Sequence, residues 1–164
     1  MLKSDLVQTD KNSTTDIIKL IFTLHTIKDL KKITEEFFNL YWDTNKLENE
    51  EIPTWSENIW EYDGELPSNN KKGCYAHLNG VEVVYIGLGI GKSYDGSGIG
   101  ARVRNYWKKN TDHIETGKSY TPTIKDVTGI ITLPFPDKYF HLAAALEVFL
   151  IQKMPYLKNK VHKK

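Results

Sequence analysis

The fold of this chain is decided by residues 73–107, GCYAHLNGVEVVYIGLGIGKSYDGSGIGARVRNYW. Two β-prone runs in this stretch meet at Asn79-Gly80. An asparagine-glycine pair between such runs is the strongest short-range signal of a β-hairpin, because both residues tolerate a positive φ. The second run, residues 81–86, is rich in the β-branched and aromatic side chains that strands favour. The stretch therefore predicts two antiparallel strands.

The register of this predicted hairpin depends on its turn. A two-residue turn at the asparagine-glycine pair places Leu78 opposite Val81 and, counting outward, Cys74 opposite Tyr85. The rings of Tyr75 and Tyr85 then point to opposite faces of an ideal hairpin. A bulge or a longer loop would change that relation, so the sequence leaves open whether the two rings share a face.

A glycine-rich loop and a short helical segment follow the hairpin. Six glycines lie between positions 87 and 100 and let the chain turn sharply. The segment from Ile99 through Trp107 is predicted to be helical, with Arg102 and Tyr106 four residues apart on one face. Arginine offers a planar fork of donors that suits phosphate oxygens, and a tyrosine hydroxyl can position a water molecule. These residue types indicate a polar cleft.

Taken together, these residues resemble the GIY-YIG nucleases, which are named for two short motifs on adjacent strands. Residues 73–75 (GCY) stand where GIY is expected, and residues 85–87 are the YIG motif itself. Arg102 and Tyr106 match the helical arginine of the family and the His or Tyr four residues later. The version with tyrosine is the one that the excinuclease nuclease domain carries.

The resemblance continues to the C-terminal part of the chain and covers residues 73–159. Glu147 stands alone in an apolar helical run, where the family carries a metal-binding glutamate, and Asn159 follows twelve residues later, as in the excinuclease domain. The chain departs from that domain at Leu88, where lysine is usual, and in a longer loop before the helical arginine. One phosphate contact of the family is therefore either absent here or supplied by Lys92.

The resemblance implies a divalent-metal-dependent endonuclease that hydrolyses phosphodiester bonds of double-stranded DNA, of restriction, phage, mobile-element or repair type. It implies that Glu147 holds one Mg²⁺ or Mn²⁺ ion and that Arg102 donates to the nonbridging phosphate oxygens. Tyr75 deprotonates the attacking water while Tyr85 orients it, or the two roles are exchanged. The implied residues are Tyr75, Tyr85, Arg102, Tyr106 and Glu147 for catalysis, Glu147 as metal ligand, and Lys92, Arg104 and Asn159 for substrate binding.

Other interpretations use the same residues. The GIGKS run at 89–93 is similar to a phosphate-binding P-loop, but that motif needs a glycine at position 86, where isoleucine stands. A GIY-YIG domain that is catalytically silent and binds nucleic acid or a protein partner is a second interpretation. In a third, the chain is an unrelated α/β scaffold, its tyrosines are strand aromatics and Glu147 faces solvent. That scaffold predicts that the site residues do not converge in space.

The length suits one domain with a core, and the chain is divided into a helical extension with an acidic connector over residues 1–70, packed on that core, and the nuclease-like domain over 71–164. Residues 13–16 (Ser-Thr-Thr-Asp) offer helix N-caps, and apolar residues at helical spacing continue to about residue 42. A break near Lys28-Asp29 would split this helix into two. The extension is expected to cover one face of the sheet or to serve dimerisation or target recognition.

The charges of the chain are unevenly distributed. Residues 43–65 carry eight acidic side chains and one basic side chain, whereas residues 66–164 have a net charge of +8. The basic half is the nuclease-like one, which suits a polyanionic substrate. Trp55 and Trp60 lie in the acidic connector and are expected to anchor it on the core rather than to stack on bases.

A third strand and a long helix complete the prediction. Residues 128–133 are β-prone and end at a proline, and residues 140–153 form the apolar helix that carries Glu147. Residues 108–126, which precede the third strand, are expected to contact the substrate. The predicted fold class is α/β, with a small central, mainly antiparallel GIY-YIG-like sheet of at least three strands, flanking helices and an N-terminal helical extension.

Composition limits the remaining possibilities. The 164 residues have a net charge of +1 and include one cysteine, which excludes an internal disulfide and a cysteine-rich zinc site. We expect that cysteine, Cys74, to pack in its strand. No apolar run is long enough for a membrane span and no signal peptide is visible, so we expect a cytoplasmic protein without membrane contact. Cutting both DNA strands with one site per chain needs a homodimer or two binding events.

Overall fold

The structure, a computed structural model, describes residues 24–47, 50–93, 96–111, 117–155 and 157–159, with the backbone alone at 92–93 and 96–97. The N-cap motif predicted at 13–16 and the start of the predicted N-terminal helix lie outside these residues. The helices are α1 (Ile27–Tyr41), α2 (Gly98–Val103) and α3 (His141–Lys153), and a 3₁₀ turn spans Arg104–Tyr106. The strands are β1 (Gly73–Asn79), β2 (Glu82–Gly89), β3 (Lys92–Ser93), β4 (Gly96–Ser97), β5 (Trp107–Lys109), β6 (Tyr120–Pro122) and β7 (Gly129–Pro134).

The central sheet has three strands in the order β2-β1-β7, and both pairings are antiparallel. Two short ribbons accompany it, β3 paired with β4 and β5 paired with β6. Helices α1 and α3 pack on one face of the sheet and α2 packs on the other. The predicted α/β class, with a small antiparallel sheet, flanking helices and an N-terminal helix, is confirmed.

The predicted turn of the β1–β2 hairpin was wrong by one residue. The strands close at Asn79 opposite Glu82, so the two turn residues are Gly80 and Val81. Gly80 takes the positive φ, +59°, that the first turn position demands, and Asn79 stays in the strand. Glycine adopts this conformation with less strain than asparagine, which explains why the turn begins there.

A β-bulge then sets the faces of β2. His77 pairs with Tyr85, whereas the next residue, Leu78, pairs with Val83, so Val84 is an extra residue in β2. The bulge lets Val83 point to the α1/α3 face while Val84 and Tyr85 both pack on the α2 face. The predicted pairing of Cys74 with Tyr85 was therefore wrong, because the turn begins one residue later and the bulge adds one residue to β2, which together bring Tyr85 opposite His77.

Each face of the sheet has its own core, because side chains alternate along a strand. Cys74 and Leu78 of β1 point towards α1 and α3, and Tyr75 and His77 point the other way. The buried thiol of Cys74 donates to the Ala143 carbonyl of α3 at 3.2 Å, which agrees with the packing role predicted for it.

Both outer edges of the sheet are covered by other segments, which keeps them from pairing with another chain. Trp60 of the connector pairs with Ile130 on the β7 edge through backbone hydrogen bonds of 2.8 and 3.0 Å. On the β2 edge, Thr26 forms a bridge with Glu82. Trp55 is buried like Trp60, so both connector tryptophans anchor on the core, as predicted.

Helix α1 starts where a break was predicted. Thr26 is its N-cap, and Thr26 and Asp29 form a reciprocal capping box. Leu30, Phe37 and Phe38 then enter the core. The prediction of a helix that ends near residue 42 is thereby confirmed for its described part. No helix within the described ranges has the length and apolar character needed to cross a bilayer.

The helix predicted from Ile99 through Trp107 is shorter in the structure. The α-helical part ends at Val103, and the chain passes through the 3₁₀ turn into β5 at Trp107. Trp107 leaves the helix because its ring packs on Trp60 of the connector, with ring centroids 4.8 Å apart. The extended backbone at Trp107 lets the ring reach this contact. Arg102 therefore sits in the last turn of α2, and Tyr106 at the end of the 3₁₀ turn.

Candidate active site

Three tyrosines converge on the α2 face of the sheet. The bulge brings Tyr85 to the same face as Tyr75, and their rings stack with centroids 6.3 Å apart. The ring of Tyr106 lies 6.3 Å from that of Tyr75 and 5.9 Å from that of Tyr85. The hydroxyl oxygens of Tyr85 and Tyr106 are 3.4 Å apart, within hydrogen-bonding distance. We call Tyr75, Tyr85 and Tyr106 the tyrosine cluster.

Two glycines make room for this cluster. Gly87 lies directly opposite Tyr75 in the sheet, and a Cβ at Gly87 would overlap the Tyr75 ring. A Cβ at Gly73 would collide with the backbone of Leu133 in β7. Gly73, in the first motif, thus permits close strand pairing. Gly87, in the second motif, provides the space in which the Tyr75 ring lies.

Arg102 borders the cluster from α2. The helix lies close to the sheet because Gly89 has no side chain and the Ile99 backbone packs against it. The side chain of Arg102 is exposed, and Tyr106 and then Tyr75 raise the pKa of its guanidinium. A permanent positive charge therefore lies at the solvent side of the hydroxyl groups.

Burial controls the acidity of the tyrosines. It raises the pKa of Tyr75 far above the ordinary value, and the neighbouring Tyr85 and Tyr106 raise it further. Burial and then the hydrogen bond shared with Tyr106 raise the pKa of Tyr85 to about 12. Arg102 opposes both shifts with a smaller effect. Both hydroxyls therefore carry their protons at neutral pH, and a basic role requires further positive charge beside them.

His77 is a member of this site that the sequence analysis missed. It is fully buried, and its ring lies 5.5, 5.6 and 5.1 Å from those of Tyr75, Tyr85 and Tyr106. Its Nδ1 lies 3.5 Å from the hydroxyl oxygen of Tyr62. Burial lowers the pKa of His77 to about 4, so the imidazole is neutral at physiological pH. Its position two residues after Tyr75 in a strand is the signal that places it on the same face.

Tyr62 approaches His77 with a strained backbone. Its φ is +68°, in the left-handed region that bulky residues rarely adopt, and its side chain is buried. The Tyr75 hydroxyl and His77 Nε2, also buried, form no hydrogen bond with any described residue. Strain and unpaired buried polar atoms both concentrate at functional sites in proteins. The polar interior beneath the cluster has both features.

Glu147 belongs to α3, which packs on the face of the sheet opposite the tyrosine cluster, and it is half-buried. Its carboxylate raises the pKa of Tyr85 and of the Cys74 thiol, in both cases less than burial does. Within the described ranges, no group of three or more His, Cys, Asp and Glu side chains is arranged to hold a metal ion. A single carboxylate suits Mg²⁺, which often binds through one or two carboxylates, substrate phosphates and water.

The three residues implied in substrate binding have different positions. Asn159 is buried, and its side-chain amide bonds the backbone of Ile86, accepting from the N–H at 3.1 Å and donating to the carbonyl. It positions the strand that carries Tyr85. Arg104 is exposed in the 3₁₀ turn between Arg102 and Tyr106. The backbone of Lys92 lies in β3, and its side chain is outside the part of the chain that the structure describes.

Comparison of the chain with protein-family models, with curated proteins and with solved structures gave no match. The function must therefore be argued from the site itself.

Proposed function

We propose that this chain is a divalent-metal-dependent endonuclease of the GIY-YIG type that hydrolyses phosphodiester bonds of DNA. The observation that carries the proposal is the convergence of Tyr75, Tyr85 and Tyr106 beside Arg102, with Glu147 acting electrostatically on Tyr85. Tyr75, Tyr85, Tyr106 and Arg102 come from four separate segments of the chain. A coincidental set of motif residues on an unrelated scaffold has no reason to meet in this way.

Arg102 supports a phosphodiester as the substrate. Its exposed guanidinium can donate two parallel hydrogen bonds to nonbridging phosphate oxygens, and it keeps its charge throughout the working pH range. Charge on those oxygens grows as water attacks phosphorus, so a fixed cation lowers the barrier to the reaction. The neighbouring Tyr106 hydroxyl holds the Tyr85 hydroxyl in place.

Glu147 would hold one Mg²⁺ or Mn²⁺ ion, with phosphate oxygens and water as the remaining ligands. When bound, such an ion polarises the phosphate and stabilises the leaving 3′ oxygen. Its charge near Tyr85 would also lower the pKa of that hydroxyl, which the protein alone holds at about 12. The carboxylate by itself raises the pKa of Tyr85, so a bound ion would be needed to reverse that effect.

Solvent access favours Tyr85 over Tyr75 as the group that deprotonates the attacking water. Tyr85 is half-buried and can meet water, whereas Tyr75 is fully buried and its pKa is raised further. Tyr75 then supports the cluster from within, through its stacked ring. Of the two assignments that the family resemblance allows, this is the one with the roles exchanged.

The test is cleavage of supercoiled plasmid DNA in Mg²⁺ or in chelator by the wild type and by Glu147→Gln. The expected result is Mg²⁺-dependent nicking that falls at least about 10²-fold in the variant, because one lost electrostatic stabiliser commonly costs that much. The matched control is Glu35→Gln, an exposed glutamate of α1, which should cut at the wild-type rate. Discrete fragments would indicate a restriction-type enzyme.

Two outcomes oppose the proposal. Cutting that persists in Glu147→Gln would remove the metal role from Glu147. Failure of the wild type to cut several plasmids with Mg²⁺ or Mn²⁺ would favour the catalytically silent binding domain.

A further inference from the structure

The β5–β6 hairpin begins where the candidate active site ends. Tyr106 of the cluster is followed at once by Trp107, the first residue of β5. The Tyr106 carbonyl accepts a hydrogen bond from the Thr123 N–H at 2.8 Å, just after β6. The base of the hairpin is therefore tied to the tyrosine cluster through the backbone.

An aromatic cluster holds this base rigidly. The ring of Trp107 lies 4.8 Å from that of Trp60 and 5.1 Å from that of Tyr120 in β6. The Tyr120 N–H donates to the Tyr62 carbonyl at 3.0 Å, which places β6 against the connector. β5 contacts the connector through Trp107 at its start, and Lys108 and Lys109 follow as its exposed residues.

Positive charge is concentrated on β5. Lys108 and Lys109 are both exposed and form no ion pair within the described part of the chain. No acidic residue occurs in 104–111 or 117–125. The acidic connector contacts β6 instead, where Asp63 accepts hydrogen bonds from Ser119. The exposed basic residues Arg102, Lys108 and Lys109 thus lie within eight consecutive positions of the chain, on either side of Tyr106.

We propose that the lysines of β5, Lys108 and Lys109, form the arm on which the sugar-phosphate backbone of the DNA lies beside the scissile bond. This inference rests on the proposed function, since it takes the reacting phosphate to lie at Arg102. At about 3.3 Å per residue of extended chain, Lys109 lies roughly 10 Å beyond Tyr106, a reach of a few nucleotides. Contacts to phosphate position a duplex without reading its sequence.

The test is binding of a labelled DNA duplex, measured by fluorescence anisotropy in chelator over a series of salt concentrations. In Lys108→Gln/Lys109→Gln, the slope of log K against log salt should fall by about 0.9 for each phosphate that the protein no longer neutralises, and the affinity at low salt should drop roughly tenfold or more. The matched control is Lys31→Gln/Lys32→Gln, two adjacent exposed lysines of α1 on the other side of the sheet, which should leave slope and affinity unchanged.

Three outcomes would overturn this inference. They are no binding of DNA by the wild type, an unchanged slope in the β5 variant, and an equal drop in affinity in the α1 control. Binding of anionic phospholipid vesicles through the same lysines, without binding of DNA, would assign the arm to a membrane surface instead. Because chelator prevents cutting, the assay separates the two proposals: a chain that binds through β5 but never nicks plasmid in Mg²⁺ contradicts the nuclease and leaves the arm standing.

Discussion

The Tyr75 ring can lie over β2 because Gly87, directly opposite it, has no side chain. Gly87→Ala should displace that ring and, through it, Tyr85. A misplacement of about 1 Å near reacting groups can reduce turnover about 10²-fold, so we expect a nicking rate lower by that order. The measurement is the initial rate of plasmid nicking in Mg²⁺.

Gly91→Ala is the control for this change, because a Cβ at Gly91 would meet open space and its backbone is not in the left-handed region. We expect wild-type nicking from it. A wild-type rate from Gly87→Ala would show that the position of the Tyr75 ring does not matter for the reaction.

His77 should make the stability of the protein depend on pH. Its pKa is 6.5 ordinarily and about 4 in the folded state, so the unfolded chain binds one more proton between these values. The free energy of unfolding should therefore have its full value above pH 6.5. It should decrease by up to about 1.4 kcal/mol per pH unit as the pH falls towards 4. Urea unfolding at several pH values measures this slope.

His77→Phe keeps an aromatic ring at this position and cannot take up a proton. We expect it to be less stable at pH 7, because the Tyr62 hydroxyl loses its partner, and to show a flatter decline between pH 6.5 and 4. His141→Gln, a change at an exposed histidine, should retain the wild-type decline. An unaltered slope in His77→Phe would mean that another group takes up the proton.

Among the elements, β2 carries Tyr85 at an edge of the sheet, and Asn159 holds that edge. Its side-chain amide bonds both backbone groups of Ile86, the residue between Tyr85 and Gly87. Asn159→Ala leaves two buried backbone groups unpaired, at about 1–3 kcal/mol each, so we expect a loss of roughly 2–6 kcal/mol in the free energy of unfolding. Urea denaturation measures it.

The control for this prediction is Asn39→Ala, which removes an exposed amide from α1 and should change stability by less than about 0.5 kcal/mol. If Asn159→Ala proved as stable as the wild type, water would be replacing the amide at the strand edge, and the positioning role of Asn159 would have to be abandoned.

At the scale of the whole molecule, the N-terminal helix shares one core with the sheet that bears the site. Phe37 of α1 packs against Phe149 of α3 with ring centroids 5.5 Å apart, in the same cluster as the inward side chains of β1. Phe37→Ala should therefore lower the stability of the entire protein by about 3–5 kcal/mol. The transitions followed by far-UV circular dichroism and by tryptophan fluorescence should still coincide.

Leu40→Ala, at an exposed position of the same helix, is the matched control and should have little effect. Separate transitions by the two probes would show that α1 unfolds independently of the sheet, as an appended element.

Local sequence signals were sufficient to locate the longer strands and helices. Hydrophobic periodicity and β-propensity located β1, β2, β7, α1 and α3, because each of these elements buries one face or two and its side chains record that. The end of an element was less predictable where it depends on a contact with a residue distant in the sequence. Trp107 leaves the helix for a contact with Trp60, and no signal within residues 99–107 announces that partner.

The site was predictable as a set of residues and not as an arrangement. Tyr75, Tyr85, Arg102 and Tyr106 were named from the motifs, and they lie together. His77 was missed because a histidine in a strand has no motif of its own.

The amino-acid sequence by itself determined which residues carry polar and charged groups, which segments become strands or helices, and that the basic half follows an acidic connector. Only the tertiary structure decided that Tyr75 and Tyr85 share a face, since this depends on one bulge at Val84. It also decided that Tyr75 is buried while Tyr85 meets solvent. The physical reason is that periodicity is local, whereas register, burial and pKa depend on which distant segments pack on a strand.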